Sequence, residues 1–173
     1  MKEKVLIAYF SRSGNNYVAG NIIDLTVGNT EVIAKKIQEM TGGTLYKIDP
    51  IKVYSSDYQI CTEESRAELH ANSRPELADK LAQIDDFDTI ILCYPNWWGT
   101  MPMPVLTFLE QFDFAEKVIL PVCTHEGSGM GRSETDLKKL CPGATIKKGL
   151  AIVGSNVYNV DTVIQLWLKN SSY

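Results

Sequence analysis

The sequence predicts an α/β fold in which a doubly wound parallel sheet carries helices on both faces. Several short runs are continuously apolar, which is typical of strands buried on both sides by helices. Segments with apolar residues at helical spacing lie between these runs, so strands and helices alternate along the chain. This order implies right-handed crossovers. The 173 residues, 45% of them hydrophobic, fit a single domain spanning residues 1–173.

The predicted strands follow from the apolar runs. Val5–Phe10 comes first and leads into a loop rich in serine and glycine. A weaker strand, Thr44–Ile48, ends at the breaker Asp49-Pro50. Three further continuous runs complete the set: Thr89–Tyr94, Val118–Cys123 and Leu150–Val153.

The predicted helices lie between these strands. Glu31–Met40 has apolar residues at helical spacing, and Gly42-Gly43 ends it. Pro104 suits the first turn of a helix that runs to Phe112. Residues 51–86 are less regular, because Pro75 interrupts their helical pattern. The other predicted helices are Cys61–Asn72, a short one over Pro75–Ile84, one from Ser133 or Glu134 to Leu140, and Val160–Leu168.

Composition narrows the function classes. The net charge of −4 and the sequence pI near 5.2 argue against a nucleic-acid partner. No secretory pattern opens the chain, and no run approaches the ~20 apolar residues of a membrane span. Only two histidines are present, so we expect no metal site, and Cys93 and Cys123 read as small buried apolar residues. We therefore expect a cytoplasmic protein without a membrane partner.

The loop after the first strand contains the features of a phosphate site. Ser11 and Ser13 precede Gly14-Asn15, and the next helix begins only near Thr30, after a second Gly28-Asn29 pair. Hydroxyls and main-chain N–H groups at a helix N-terminus bind anions. The Walker and dinucleotide-binding glycine patterns are absent. An ordinary helix-capping turn would have the same composition.

The loop after the third strand contains two adjacent tryptophans, Trp97 and Trp98, between Pro95-Asn96 and Gly99. A flat aromatic ligand is one explanation, since stacked rings contribute about 0.5–1.5 kcal/mol beyond area burial. Gly99 would let such a ring approach the backbone closely. The alternative is that the tryptophans pack under a neighbouring loop or mark a protein interface.

The loop after the fourth strand, Thr124–Gly131, contains alternating glycines that allow main-chain groups to reach a ligand. His125 is either a proton donor or the partner in a structural hydrogen bond. The loops after the first, third and fourth strands fall on one edge of the predicted sheet, where doubly wound folds bind ligands. Together they suit a phosphate, a planar ring and polar ring atoms, which describes flavin mononucleotide (FMN).

At these residues the chain resembles the flavodoxin family over nearly its whole length. The strand and loop from Val5 to Asn15 look like the family's first strand and phosphate loop, and Tyr94–Pro102 looks like its second flavin loop. Thr124–Gly129 is similar to the third loop in a branch of short flavodoxin-like proteins. The resemblance implies a five-stranded parallel sheet in the order 2-1-3-4-5, with FMN bound non-covalently at its carboxyl edge.

The resemblance also implies roles for individual residues. Ser11, Ser13 and Thr30 would hold the phosphate, and either Asn15 or Asn29 would complete that cage. The other implied contacts are stacking by Trp97 or Trp98, the backbone around Pro95, Asn96 and Gly99 at the reactive edge of the ring, and the segment with Thr124, His125, Glu126, Gly127 and Gly129 on the pyrimidine side.

Two departures from the family pattern bear on function. Asn16 stands where the last hydroxyl of the phosphate loop is expected, and an insert of roughly residues 16–28 has enough apolar residues for a hairpin-like flap. Acidic residues near the three loops are few beyond Glu126. An electron-transfer flavoprotein serving a redox partner protein is the leading interpretation. An FMN-dependent reductase of quinones or another small acceptor, with a nicotinamide donor, is the second, and an interaction module without cofactor is the third.

Overall fold

The computed structural model describes residues 4–171, which fold around a six-stranded parallel sheet. The strand order is β4-β1-β5-β6, and β7 and β8 both pair with the outer side of β6. The two short strands β7 and β8 occupy the place of one fifth strand, so the predicted order 2-1-3-4-5 is confirmed. The sheet strands are β1 (Val5–Tyr9), β4 (Thr44–Lys47), β5 (Thr89–Pro95), β6 (Val118–His125), β7 (Thr145–Ile146) and β8 (Leu150–Val153).

Helices cover both faces of this sheet, as predicted. Their bounds are α1 (Asn29–Thr41), α2 (Tyr58–His70), α3 (Met103–Glu110), α4 (Ser133–Leu140) and α5 (Asp161–Asn170), with a 3₁₀ helix at Gly154–Asn159. Successive residues of β1 point into different cores. Leu6 and Ala8 pack with α2, α3 and α4, whereas Ile7 packs with α1 and α5. Two buried cores explain why the strands read as continuous apolar runs.

Two expectations for single elements need correction. Residues 75–84 contain no helix; Leu77 forms an isolated antiparallel bridge with Pro50, and its side chain is buried in the core. Main-chain bonds from Ile51 to Glu76 and from Ala78 to Asp49 hold this pairing, which a helix would break. The strand β8 has the predicted bounds but is an edge strand, in which Ala151 and Val153 are exposed.

The insert in the first loop forms a two-stranded antiparallel hairpin. Its strands are β2 (Gly14–Val18) and β3 (Asn21–Leu25), and they pair from Gly14 opposite Leu25 to Val18 opposite Asn21. The turn residues Ala19 and Gly20 both have positive φ, of 49° and 87°. Two such residues form the tight turn that matches the twist of a hairpin. The hairpin begins two residues before the predicted insert.

Within residues 4–171, no helix is both long enough and apolar enough to cross a membrane. The same part of the chain contains no cluster of histidine, cysteine and acidic side chains suited to a metal ion. All four cysteines are free and buried, with Cys93 and Cys123 inside the cores as predicted.

Candidate cofactor site

The two ends of the hairpin insert meet at the carboxyl end of β1. Gly28 is buried against Ser11 and Arg12, and a Cβ at position 28 would lie 2.3 Å from Ser11 Oγ and 2.4 Å from the Arg12 carbonyl oxygen. The φ of Gly28 is −66°, so glycine is needed there for space and not for backbone conformation. The chain therefore leaves the site after Arg12 and returns to the same place before Asn29.

Helix α1 begins at this junction and has an open N-terminus. Its N-cap residue, Gly28, has no side chain to cap the helix, and Ser11 Oγ instead accepts a hydrogen bond of 3.0 Å from the Glu31 N–H. Within residues 4–171, the main-chain N–H groups of Asn29 and Thr30 have no acceptor. Free N–H groups and the helix dipole make this end of α1 suitable for an anion.

A hydroxyl pair links α1 to the end of β6. The side-chain oxygens of Thr30 and Thr124 lie 2.7 Å apart, and both residues are buried. One hydroxyl donates to the other, so the proton of the second hydroxyl has no partner among the described residues. That proton is available to a ligand oxygen.

An open cleft of about 620 Å³, including solvent at its mouth, lies over this edge of the sheet. The loops after β1, β5 and β6 supply most of its walls, as the sequence predicted for the sheet edge. The cleft is lined by Ser11, Arg12, Asn16, Tyr17, Asn29, Thr30, Tyr58, Pro95, Asn96, Trp97, Thr124, His125, Glu126 and Gly154.

Asn96 fixes the loop after β5 to the loop after β6. Its side-chain oxygen accepts a hydrogen bond of 3.0 Å from the Gly99 N–H, and its side-chain nitrogen donates one of 2.8 Å to the Gly129 carbonyl. The Asn96 main-chain N–H also donates to the Thr124 carbonyl at 2.8 Å. Because the amide is bonded at both ends, Asn96 holds the shape of the two loops.

The two tryptophans of this loop have different surroundings. Trp97 forms a wall of the cleft, and Phe10 and Tyr54 each contact its ring edge-to-face at a centroid distance of 5.1 Å. Trp98 turns away and is 45% exposed, and its Nε1–H donates to Ser65 Oγ at 3.0 Å. Only Trp97 lines the cleft, which makes it the tryptophan that can stack on a ligand there.

The loop after β6 connects the cleft to the hairpin. One carboxylate oxygen of Glu126 accepts a 3.0 Å hydrogen bond from the Ala19 N–H in the hairpin turn, and the other accepts one of 2.9 Å from the Ser155 N–H. His125 Nδ1 accepts a hydrogen bond of 2.9 Å from the Gly127 N–H, the structural contact that the sequence left open. The hairpin is thus tied to the third loop, beside the cleft.

Three glycines leave open space where other residues would carry a side chain. A Cβ at Gly99, Gly127 or Gly129 would have no atom within 4 Å. Their φ values are 80°, 113° and 60°, a region that other residues rarely adopt. None of the three lines the cleft, and the N–H groups of Gly99 and Gly127 already donate to Asn96 Oδ1 and His125 Nδ1.

The charged side chains of Arg12 and Glu126 at the cleft already form hydrogen bonds with main-chain groups of the protein. The Arg12 guanidinium donates to the main-chain carbonyls of Asn15, Ser55, Ser56 and Asp57, while the Glu126 carboxylate accepts from two N–H groups. Among the described residues, the main-chain donors still free at the cleft are those at the N-terminus of helix α1, Asn29 and Thr30.

A sequence profile of the family described as flavodoxin matches residues 4–171. The chain belongs to the flavodoxin family. A candidate flavoprotein from Bacteroides uniformis is 31% identical, with 95% of this chain and 99% of that chain covered and a TM-score of 0.74. One from Bacteroides eggerthii is 29% identical, with 98% of each chain covered and a TM-score of 0.79.

A flavoprotein from Lactobacillus acidophilus, crystallised in complex with FMN, shares the flavodoxin fold with this chain. It is 18% identical, with 95% of this chain and 98% of that chain covered and a TM-score of 0.65. A search of curated proteins found no match.

The structure distributes the residues predicted for the flavodoxin site over several places. Nine of the predicted residues line the cleft: Ser11, Asn29, Thr30, Pro95, Asn96, Trp97, Thr124, His125 and Glu126. Ser13 is exposed and lines a separate depression with Lys47 and Asp49 on the other side of the loop. Asn15 lies in β2, with its main-chain groups bonded to Arg12 and Ser56. Of the two asparagines left open by the sequence, Asn29 is the one at the cleft.

The sequence did not indicate several residues of the cleft wall, among them Arg12, Tyr17, Tyr58 and Gly154. Tyr58 is in the first turn of α2, which begins three residues before the predicted start. A signal was present, because Asp57 is a favoured N-cap residue, and its side chain accepts the Ile60 N–H at 2.9 Å. Gly154 follows β8, where a Cβ would lie 2.5 Å from both Asn29 Nδ2 and Glu126 Oε1.

Proposed function

We propose that this chain binds FMN non-covalently in the cleft and acts as an electron-transfer flavoprotein. The observation that carries the proposal is the open N-terminus of α1, with the Asn29 and Thr30 N–H groups unpaired among the described residues at the foot of a cleft that Trp97 walls. A phosphate suits the first feature and a planar ring suits the second. When bound, FMN supplies one-electron and two-electron transfer.

The residues of this chain would bind and orient the cofactor. Ser11, Asn29 and Thr30 would hold the phosphate through hydroxyl, amide and main-chain donors. Trp97 would pack on the ring, and the loop residues Pro95, Asn96 and His125, which line the cleft, would face its polar edge. The Lactobacillus relative crystallised with FMN supports this choice of cofactor.

A titration with FMN and riboflavin tests the binding. FMN fluorescence should be quenched on binding, and Thr30→Ala should weaken FMN about tenfold, because a hydrogen bond to a charged group contributes about 1.5–3 kcal/mol. The affinity for riboflavin, which has no phosphate, should change little in Thr30→Ala. Ser13→Ala is the matched control, since Ser13 is a hydroxyl of the same loop outside the cleft. Absence of quenching in the wild type would refute the proposal.

A second candidate, an FMN-dependent NAD(P)H oxidoreductase acting on a small acceptor such as a quinone, is favoured by the hairpin. A protein partner needs access to the flavin, whereas Glu126 holds the hairpin turn beside the cleft. Mixing FMN-loaded protein with NADH or NADPH and a quinone separates the two. Rapid turnover without a second protein supports the reductase, and its absence supports the carrier. We propose a cytoplasmic location, in keeping with the four free thiols.

A further inference from the structure

A second cavity opens beside the cofactor cleft and shares its wall. This space, which we call the side lobe, is open to solvent and measures about 430 Å³ with the solvent at its mouth included. The residues that line both spaces are Arg12, Asn16, Tyr58, Asn96 and Trp97. Its remaining walls are Trp98 and one face of α2, formed by Cys61, Thr62 and Ser65. A molecule in the side lobe would therefore lie next to whatever fills the cleft.

The side lobe is aromatic, and the hydrogen-bond donors of its cation are used within the protein. Tyr58, Trp97 and Trp98 supply three rings. Its one lining cation among the described residues, Arg12, donates to four main-chain carbonyls. Burial raises the pKa of the Cys61 thiol to about 11, so it is neutral near pH 7. A charged ligand would lose its hydration here without gaining hydrogen bonds from Arg12, whose donors are engaged by main-chain carbonyls.

Trp98 is held in an unfavourable backbone conformation at the side lobe. Its φ is 55°, in the left-handed region that bulky residues avoid. Trp98 and Gly99 are the central residues of a tight turn that main-chain bonds between Trp97 and Thr100 close. The Trp98 side chain is held by its hydrogen bond to Ser65 Oγ and by the Arg66 guanidinium 5.6 Å from the centre of its ring. Strained residues of this kind cluster at ligand sites. Without the strain, the lobe would lack its outer aromatic wall.

Two polar groups of the lining residues have no partner within residues 4–171. The Tyr58 hydroxyl makes no hydrogen bond, and the Asn16 amide uses its nitrogen for the Arg12 and Gly14 carbonyls but leaves its oxygen unbonded. One hydroxyl and one amide oxygen suit a ligand that carries a carbonyl or hydroxyl group.

We propose that the side lobe binds a small, uncharged aromatic compound of one or two fused rings with a carbonyl or hydroxyl group. The ring stacks on the tryptophan walls, and the polar group bonds to Tyr58 or Asn16. If the cleft holds FMN, a ligand of this class whose carbonyl groups form a quinone would take two electrons and two protons from the reduced flavin and leave as the hydroquinone. This role rests on the proposed function. Because the Arg12 donors are engaged within the protein, dinucleotides and other phosphate-bearing ligands are disfavoured.

The test uses 2-naphthol, which is uncharged at neutral pH, and 2-naphthoate, which has a similar ring system and a negative charge. Each is titrated into ¹⁵N-labelled protein, with and without FMN, and the Trp98 indole N–H signal is followed by NMR. Trp98→Phe identifies that signal by its loss. We expect 2-naphthol to shift the signal in both forms and to bind at least about tenfold more tightly than 2-naphthoate.

Variants of α2 locate the binding. Thr62→Met fills the lobe and should lower the affinity for 2-naphthol about tenfold or more. Glu63→Met is the matched control, because Glu63 is exposed on the same helix and does not line the lobe. It should leave the affinity unchanged.

Competition in the wild type keeps the inference falsifiable even if Thr62→Met fails to fold. Displacement of 2-naphthol by FMN would overturn it, since the lobe would then be part of the cofactor site. Equal affinity for 2-naphthoate, or no shift at Trp98, would overturn it as well. A protein that binds 2-naphthol but not FMN would support the side lobe and refute only the proposed cofactor.

Discussion

Glu126 accepts a hydrogen bond from the main-chain N–H of Ala19, 107 positions away in sequence, at 3.0 Å. The bond joins the turn of the hairpin to the loop after β6, across the mouth of the candidate site. The same carboxylate accepts the Ser155 N–H. A single side chain thus connects the hairpin, the third loop and the 3₁₀ helix.

Removing this carboxylate should loosen the hairpin. In Glu126→Ala, amide exchange at Ala19 should become about fivefold faster, because an exposed, charge-assisted hydrogen bond contributes about 1 kcal/mol. Release of FMN should accelerate with it. Hydrogen exchange followed by NMR measures the first effect, and stopped-flow fluorescence measures the second. Glu63→Gln, an exposed change on α2, is the control. If amide exchange becomes faster at Ser155 but does not change at Ala19, Glu126 does not hold the hairpin.

Ser11→Ala should destabilise helix α1. Ser11 Oγ is the acceptor for the Glu31 N–H, and loss of a capping side chain costs about 1 kcal/mol. Urea unfolding of the protein without cofactor measures the change. Ser13→Ala removes a hydroxyl two residues away that is exposed, and it should cost much less. Equal losses in the two variants would contradict a capping role for Ser11.

Gly28→Ala should destabilise the fold strongly, although it adds only one methyl group. The new methyl group would lie 2.4 Å from a main-chain oxygen of Arg12, and overpacking of this kind costs about 1–3 kcal/mol. Gly20→Ala is the informative comparison, since Gly20 has a φ of 87° but no atom near its Cβ position. That change should cost about 1 kcal/mol through backbone strain alone. Urea unfolding ranks the two, and a smaller loss at Gly28 would argue against close contact.

Tyr54→Phe should destabilise the protein more at pH 7 than at pH 4. The Tyr54 hydroxyl donates to Glu68 Oε2, while burial raises the pKa of Glu68 and that hydrogen bond partly lowers it. Since the folded-state pKa is raised, the contribution of Glu68 to stability is greatest at low pH and is lost as pH rises through that pKa. Removing the Tyr54 hydroxyl raises the pKa of Glu68 further. Tyr54→Phe should therefore lower the free energy of unfolding by about 1 kcal/mol more at pH 7 than at pH 4.

A second tyrosine supplies the control for that pH dependence. The Tyr46 hydroxyl donates at 2.6 Å to the main-chain carbonyl of Asp79, which does not titrate. The cost of Tyr46→Phe should therefore be nearly the same at both pH values. Urea unfolding at each pH, with an NMR titration of Glu68, measures the difference. A Tyr54→Phe cost that is independent of pH would remove Glu68 from the explanation.

The sheet could be predicted because a local run of apolar residues in the sequence indicates each main strand. Burial in two cores makes β5 and β6 apolar along their whole length, and the crossover rule then limits their order. The segment around Leu77 could not be predicted in this way. Its pairing with Pro50 depends on a contact between distant parts of the chain, and no local periodicity records such a contact.

The candidate site was predictable where it follows the ends of strands, as at Ser11, Thr124 and Trp97. The positions of Asn15 and Asn29 relative to the cleft were not, because both Gly-Asn pairs satisfy the same pattern. The tight approach of Gly28 to Ser11 selects the second pair, and this packing exists only in three dimensions. The side lobe was missed for a related reason, since α2 begins at Tyr58 and brings its first turn to Trp97.

Because Arg12 and Gly28 are in contact, the hairpin between them can be exchanged as a unit. The chain makes a closed excursion between these residues, so a longer, shorter or differently shaped unit could join the same two points without moving Ser11 or Thr30. The entropy of closing a loop grows only slowly with its length. A different hairpin grafted at this junction therefore offers a way to change access to the cleft while the N-terminus of α1 stays in place.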